Sequence, residues 1–154
     1  MASILRSIKP YNLYLILTGK ELLISKDKPI DKDWDELVYL YCTKDIKSFL
    51  KIPVGERRKV QKYLGMIAGH FFCAKIEDIH QFILEPKNKY ERGFLDSVLE
   101  KSGLNYDELC AYMKGRDYYK KFYLWDCSCF VKCKPTELKA WNIKKPPQSW
   151  QYID

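Results

Sequence analysis

The stretch LTGKELLISK, Leu17 to Lys26, joins an apolar run to a strand-like one through a glycine, and it sets Lys20, Glu21 and Lys26 close together at the corner. An amine beside a carboxylate at such a corner could hold an anion or pass a proton. A second concentration of chemistry lies in GERRKVQK, where Arg57, Arg58, Lys59 and Lys62 put four cations within six residues, more than solubility requires and of the kind that attracts phosphate. A third is CSCFVKC. Its spacing is C-x-C-x3-C rather than a pair of C-x2-C, it offers only three of the four ligands a closed zinc site needs, and the two histidines, His70 and His80, are distant in sequence. Cys127, Cys129 and Cys133 are therefore read as small thiols packed on one face of a single strand rather than as metal ligands. His70 falls in an apolar run without a second histidine or a recognisable nucleophile, which suits a core histidine with one nitrogen satisfied. The sequence contains no glycine-rich phosphate loop and no ligand pair at helical spacing, so no metal or other cofactor is expected.

These groups have to be positioned by a chain of 154 residues, long enough for one domain over residues 1–154 with a sizeable core. Hydrophobic residues make up 47% and charged residues 31%, a globular rather than a disordered composition. No apolar run approaches the roughly 20 residues that cross a bilayer, and MASILRSIKP has no signal-peptide core followed by a cleavage site. A cytoplasmic protein without membrane contact is expected, its six cysteines reduced. The net charge of +7 is uneven. Residues 44–63 carry seven Lys/Arg against two acids and residues 111–145 nine against three, whereas residues 77–109 carry four against eight. If the two basic segments meet on one face, they make a phosphate-attracting surface.

Along the chain, SILRSIK alternates as a strand. Pro10 suits the first turn of a helix, Leu13, Ile16 and Leu17 recur at helical spacing, and Gly19 stops the helix as a residue free to take positive φ. ELLIS and ELVYLYCT read as strands separated by the polar loop KDKPIDKDWDE, and a basic turn and helix run to Tyr63. GMIAGHFFCAKI, apolar on both faces, marks a central strand. The middle of the chain reads as helical: KYERGFLDSVLEKSG stops at Gly103, and NYDELCAYMKG runs from an Asn105 to Glu108 capping pair to Gly115. YYKKFYLWDCSCFVKC returns to strand chemistry, KPTELKAW is a turn or one helical turn, and in PPQSWQY two prolines lead to Trp150 as an anchor that plugs one end of the fold. The order is α+β with mostly antiparallel strands.

Taken in order, SIKPYNLYLILTGK, VYLYCTK, GMIAGHFFCAKI and KPPQSWQYI resemble ASCH-domain proteins of the PUA-like superfamily, over Ser7 to Ile153. The helical insert, about residues 90–115, resembles that of longer, phage-type members. The resemblance implies a PUA-like β-barrel of about five or six mostly antiparallel strands with flanking helices, and a groove between the first helix and the sheet that binds RNA or modified nucleobases. Some ASCH members are amidohydrolases acting on acetylated cytidine and others are nucleases, with chemistry on a signature G-x-K-x-x-[E/T]-x-R. Here Gly19 matches the glycine, but Glu21 stands at the lysine position, Ile24 at the Glu/Thr position and Lys26 at the arginine. Isoleucine cannot exchange a proton, and glutamate reverses the charge that would orient a substrate.

The resulting expectation is a non-enzymatic module without catalytic residues. It would bind RNA, a nucleotide or a modified base through a basic groove made by Lys9, Lys20, Lys26, Arg57, Arg58, Lys59 and Lys62. Tyr41 and Trp150 are candidate stacking surfaces, although Tyr39 and Tyr41 suit the core better, since tyrosines are commonly buried with only the hydroxyl satisfied. The alternatives are an ASCH-type amidohydrolase or nuclease with a relocated active site, and a phage-type factor that occupies a protein partner. A monomer is expected.

Overall fold

The computed structural model describes residues 3–26, 36–73, 75–113 and 121–153. Most of the loop KDKPIDKDWDE and the helix stop at Gly115 lie outside them. The described residues form β1 (Ser3–Ile8), α1 (Pro10–Leu17), β2 (Leu22–Ser25), β3 (Glu36–Cys42), α2 (Ile46–Phe49), α3 (Arg58–Gln61), β4 (Ile67–Cys73), β5 (Ile76–His80), α4 (Lys89–Ser102), α5 (Tyr106–Met113), β6 (Lys121–Asp126), β7 (Val131–Thr136) and β8 (Trp150–Ile153), with short 3-10 turns between some of them. A five-stranded sheet has the order β7-β4-β3-β1-β8, and a three-stranded sheet the order β2-β6-β5. All pairings are antiparallel except β1 with β3, which the helix α1 separates in sequence as a crossover. The fold is thus α+β with mostly antiparallel strands, as expected. Among the described residues there are eight strands rather than five or six, and their hydrogen bonding runs in two sheets without closing into one barrel.

The local causes are plain at α1. Pro10 occupies its first turn, where a missing N–H is harmless, and the helix ends with Gly19 at φ 100°. Its apolar side, Leu13 and Ile16, packs with Ile4, Val38, Leu40, Phe71 and Trp125 into the main core between the two sheets. Pleating then divides β2 and β6. Leu23 and its partner Trp125 face that core, whereas Ile24, Leu124 and Phe122 face away into a second core. The second core is roofed by α4 and α5 through Leu95, Val98, Leu109 and Met113. Asn88 caps α4, Gly103 ends it at φ 77°, and Asn105 and Glu108 exchange hydrogen bonds at the start of α5.

The helices expected in the middle of the chain form as α4 and α5, but IEDIH before them adds the edge strand β5, with Asp78 ion-paired across to Lys121 at 3.3 Å. Two expectations are corrected. The run ending in CSCFVKC is a hairpin rather than one strand: the Phe130 N–H donates to the Cys127 carbonyl, and the Ser128 N–H to Asp126 Oδ1, turning β6 into β7. As a result the three thiols do not share a face. Cys127 is buried at the end of β6, Cys129 is exposed in the turn, and Cys133 is half-buried on β7.

Candidate functional site

Two grooves flank α1, and the cations expected in one site are divided between them. The first, of about 480 Å³, lies at the start of α1. It is walled by the end of β1, by β2 and Lys26, by Thr43 and Asp45 after β3, by Tyr112 of α5 and by Gln148 and Ser149 before β8. Arg6 forms its floor. The guanidinium lies 4.5 Å from the ring centre of the fully buried Trp125, and Nη2 donates to the Ile24 carbonyl at 3.1 Å, so a cation only 6% exposed is held by a ring face and a main-chain oxygen. Lys9 reaches Asp45 at 3.7 Å. The Asp45 carboxyl is held below its ordinary value, first by the Ser48 N–H it caps and then by Lys9. Lys26 lies 5.1 Å from the ring centre of Tyr112, whose hydroxyl accepts from the Lys26 N–H at 3.2 Å. Among the described residues, the Thr43 hydroxyl oxygen is buried without a hydrogen-bond partner, which in a native interior calls for an explanation.

The second groove, of about 570 Å³, lies at the other end of α1 and is lined by Gly19, Lys20, Lys59, Lys62, Ser128, Phe130 and Lys132, with Tyr63 beneath. Burial pushes the Tyr63 phenol up, and its hydroxyl donates to the Cys133 carbonyl at 3.2 Å, so it serves as a wall.

Of the residues selected from sequence, Lys9 and Lys26 therefore share the first groove, and Lys20, Lys59 and Lys62 the second. Arg57 lines neither: Nε and Nη2 donate to the carbonyls of Ile52 and Leu50, both at 3.0 Å, and clamp the turn before α3. Arg58 is exposed at the start of α3, outside both grooves. Tyr41 is buried against Leu5 and Ile67 on the opposite face of the large sheet, so it is a core residue and not a stacking surface. Trp150 is half-buried against the main core, in register with Arg6, and lines neither groove. His70 is half-buried beside Tyr39, with ring centres 5.6 Å apart.

Sequence reasoning missed Arg6, Thr43 and Lys132. Arg6 is the one cation of β1, at alternate positions with the buried Ile4 and Ile8. Lys132 reaches its groove only because the hairpin folds β7 back beside β4, which no local signal announces.

At the signature positions, Ile24 is 8% exposed and packs in the second core, and Glu21 is exposed and lines neither groove. Among the described residues, no three His, Cys, Asp or Glu side chains cluster as a metal site, and no helix is long and apolar enough to cross a membrane. Cysteine chemistry in the core is also disfavoured, because burial raises the Cys42 and Cys127 thiols to about 12 and Cys73 to about 11.

No family model and no curated protein matches the sequence. Solved structures do. The ASCH protein of Zymomonas mobilis aligns over 99% of this chain and 87% of its own, with a TM-score of 0.65 and 14% identity. A tyrosine-to-phenylalanine variant of that protein aligns over 99% and 90% with a TM-score of 0.63 and 12% identity, and a serine-to-alanine variant over 99% and 88% with 0.63 and 11%. At such identities the likeness is one of architecture, and it spans nearly the whole chain: this protein has the ASCH fold.

Proposed function

We propose that this protein is a non-enzymatic module that binds RNA or a nucleotide, with the nucleoside seated in the groove at the start of α1. The observation that carries the reading is the convergence there of Arg6, Lys9 and Lys26 with the hydroxyls of Ser25 and Thr43 and the amides of Asn12 and Gln148. The volume is within the range of small-molecule sites, and its polar groups include both the cations that attract a phosphate and the donor–acceptor groups that bond a base or ribose. An incoming hydroxyl or amide would give the Thr43 oxygen the partner it lacks. The signature positions support the non-enzymatic reading. Ile24 has no proton to exchange, its carbonyl is occupied by Arg6, and the Glu21 carboxylate faces solvent.

The direct test is calorimetry with ribonucleoside monophosphates, together with incubation of the protein with acetylcytidine. Binding that weakens about fivefold or more in both Lys26→Ala and Thr43→Val, with no product, is the expected result, since each contact is worth roughly 1–3 kcal/mol. Equal binding by both variants would displace the site. Amide cleavage abolished by Lys20→Ala or Glu21→Ala would make the protein an enzyme.

A further inference from the structure

We infer that the groove at the C-terminal end of α1 holds the sugar–phosphate backbone of single-stranded RNA, as a second site on the same ligand. The inference rests on the reading above for the identity of that ligand. Four lysines reach the groove from three separate parts of the chain: Lys20 after α1, Lys59 and Lys62 around α3, and Lys132 on β7. No carboxylate is among the described lining residues. Among the described residues, the ion pair of Lys59 with Glu56 at 2.6 Å occupies a single lysine from outside the wall. Lys20 Nζ makes a long contact, 3.4 Å, to the Glu100 carbonyl, and Lys62 lies over the Tyr63 ring at 5.2 Å.

Like charges gathered around one concavity repel one another. A fold chosen only for solubility would intersperse them with acids. Gathered so, they focus a positive potential that a polyanion relieves.

The type of cation distinguishes a backbone track from a pocket for one phosphate. A single tightly held phosphate is usually met by a planar arginine fork or by several main-chain N–H groups. Here the cations are all lysines, point charges on flexible stems, and the nearest arginines are committed elsewhere or lie outside the groove. Lysines spread along an open furrow suit a chain of phosphates whose exact positions vary. Phe130, half-buried on the rim, adds a ring on which a base can rest. The eight residues of α1 span about 12 Å at 1.5 Å per residue and separate the two grooves.

The test compares wild type with the double variant Lys62→Ala, Lys132→Ala. Both side chains are exposed, so the fold should be retained. Anisotropy of a fluorescent single-stranded nonaribonucleotide is followed as KCl rises, and a ribonucleoside monophosphate is titrated in parallel. Four neutralised phosphates give a log–log salt slope of about −2.8, and two about −1.4. Between 50 and 200 mM salt wild-type affinity should therefore fall about 50-fold and that of the double variant about sevenfold, while mononucleotide affinity is the same in both. Unchanged slope and affinity in the double variant would overturn the inference. So would competition by polyglutamate as effective as that by RNA of equal charge. Loss of mononucleotide binding in wild type with the RNA slopes intact would instead count against the first groove and leave the second supported.

Discussion

Raising the pH should weaken this fold earlier than its lysines alone would require, because of three thiols. In the unfolded chain Cys42, Cys73 and Cys127 ionise near the ordinary value of 9.0, but burial moves them to about 12, 11 and 12 in the folded protein. Above pH 9 the folded state therefore holds protons that the unfolded state has lost. With more protons on the folded side, unfolding free energy declines as pH rises, by about 1.4 kcal/mol per unit for each such thiol. Between pH 8 and pH 10 the three together remove at most roughly 4 kcal/mol, a large share of the roughly 5–15 kcal/mol typical of a domain. Tyr11, Tyr41 and Tyr63, also raised first of all by burial, act in the same direction from about pH 10 upward. Urea unfolding at pH 8, 9 and 10 measures the decline. The Cys73→Ala variant should start lower but lose about a third less over the same interval. Thiol labelling of the folded protein at pH 8 supplies an independent readout, in which exposed Cys129 reacts first while Cys42, Cys73 and Cys127 wait for unfolding. Stability that stays level from pH 8 to pH 10, or rapid labelling of all six thiols in the folded state, would refute the reasoning.

Two further outcomes follow from the backbone. Gly19→Ala places a Cβ in open space, so only the strain at φ 100° counts, and a loss of about 1–2 kcal/mol in chemical denaturation is expected with no change in the structure around it. Removal of residues 147–154 takes away β8, the Ser149 carbonyl that accepts from the Ser7 N–H at 2.8 Å and the Pro147 carbonyl that accepts from the Ser7 hydroxyl at 2.6 Å. The truncated chain should lose its cooperative thermal transition, and a well-folded product would show that Trp150 is dispensable to the core.

What could be read from sequence was mostly what short-range chemistry decides. Pro10 and Gly19 bracket α1 as anticipated, and the Asn105–Glu108 pair caps α5, because caps and stops depend on residues within one turn of each other. Strand β5 escaped notice because an edge strand with Glu77 and Asp78 turned to solvent lacks the apolar signature of a central one. The β6–β7 turn was hidden for a different reason: DCSC contains neither glycine nor proline and turns through the Asp126 side chain instead. The site was legible in its ingredients and not in its grouping. Lysines at 20, 59 and 62 could be singled out, but Lys132 joins them only through the pairing of Gly69 with it across β4 and β7. Added to Gly69, a Cβ would strike the Val131 carbonyl and Phe130, so this close approach is open to glycine alone.

Strand β1 lies between β3 and β8, with Ile4 opposite Val38 on one side and Tyr152 on the other. A nascent chain emerging from the ribosome can satisfy the first of these edges early, but the second stays open until almost all of the intervening polypeptide has been made. During that interval an apolar strand offers bare main-chain groups to any passing β-segment, so the hazards of synthesis concentrate at the very strand that carries Arg6. Slow translation of the tail, or a crowded pool of half-made chains, would harm the yield of this protein more than its finished stability suggests.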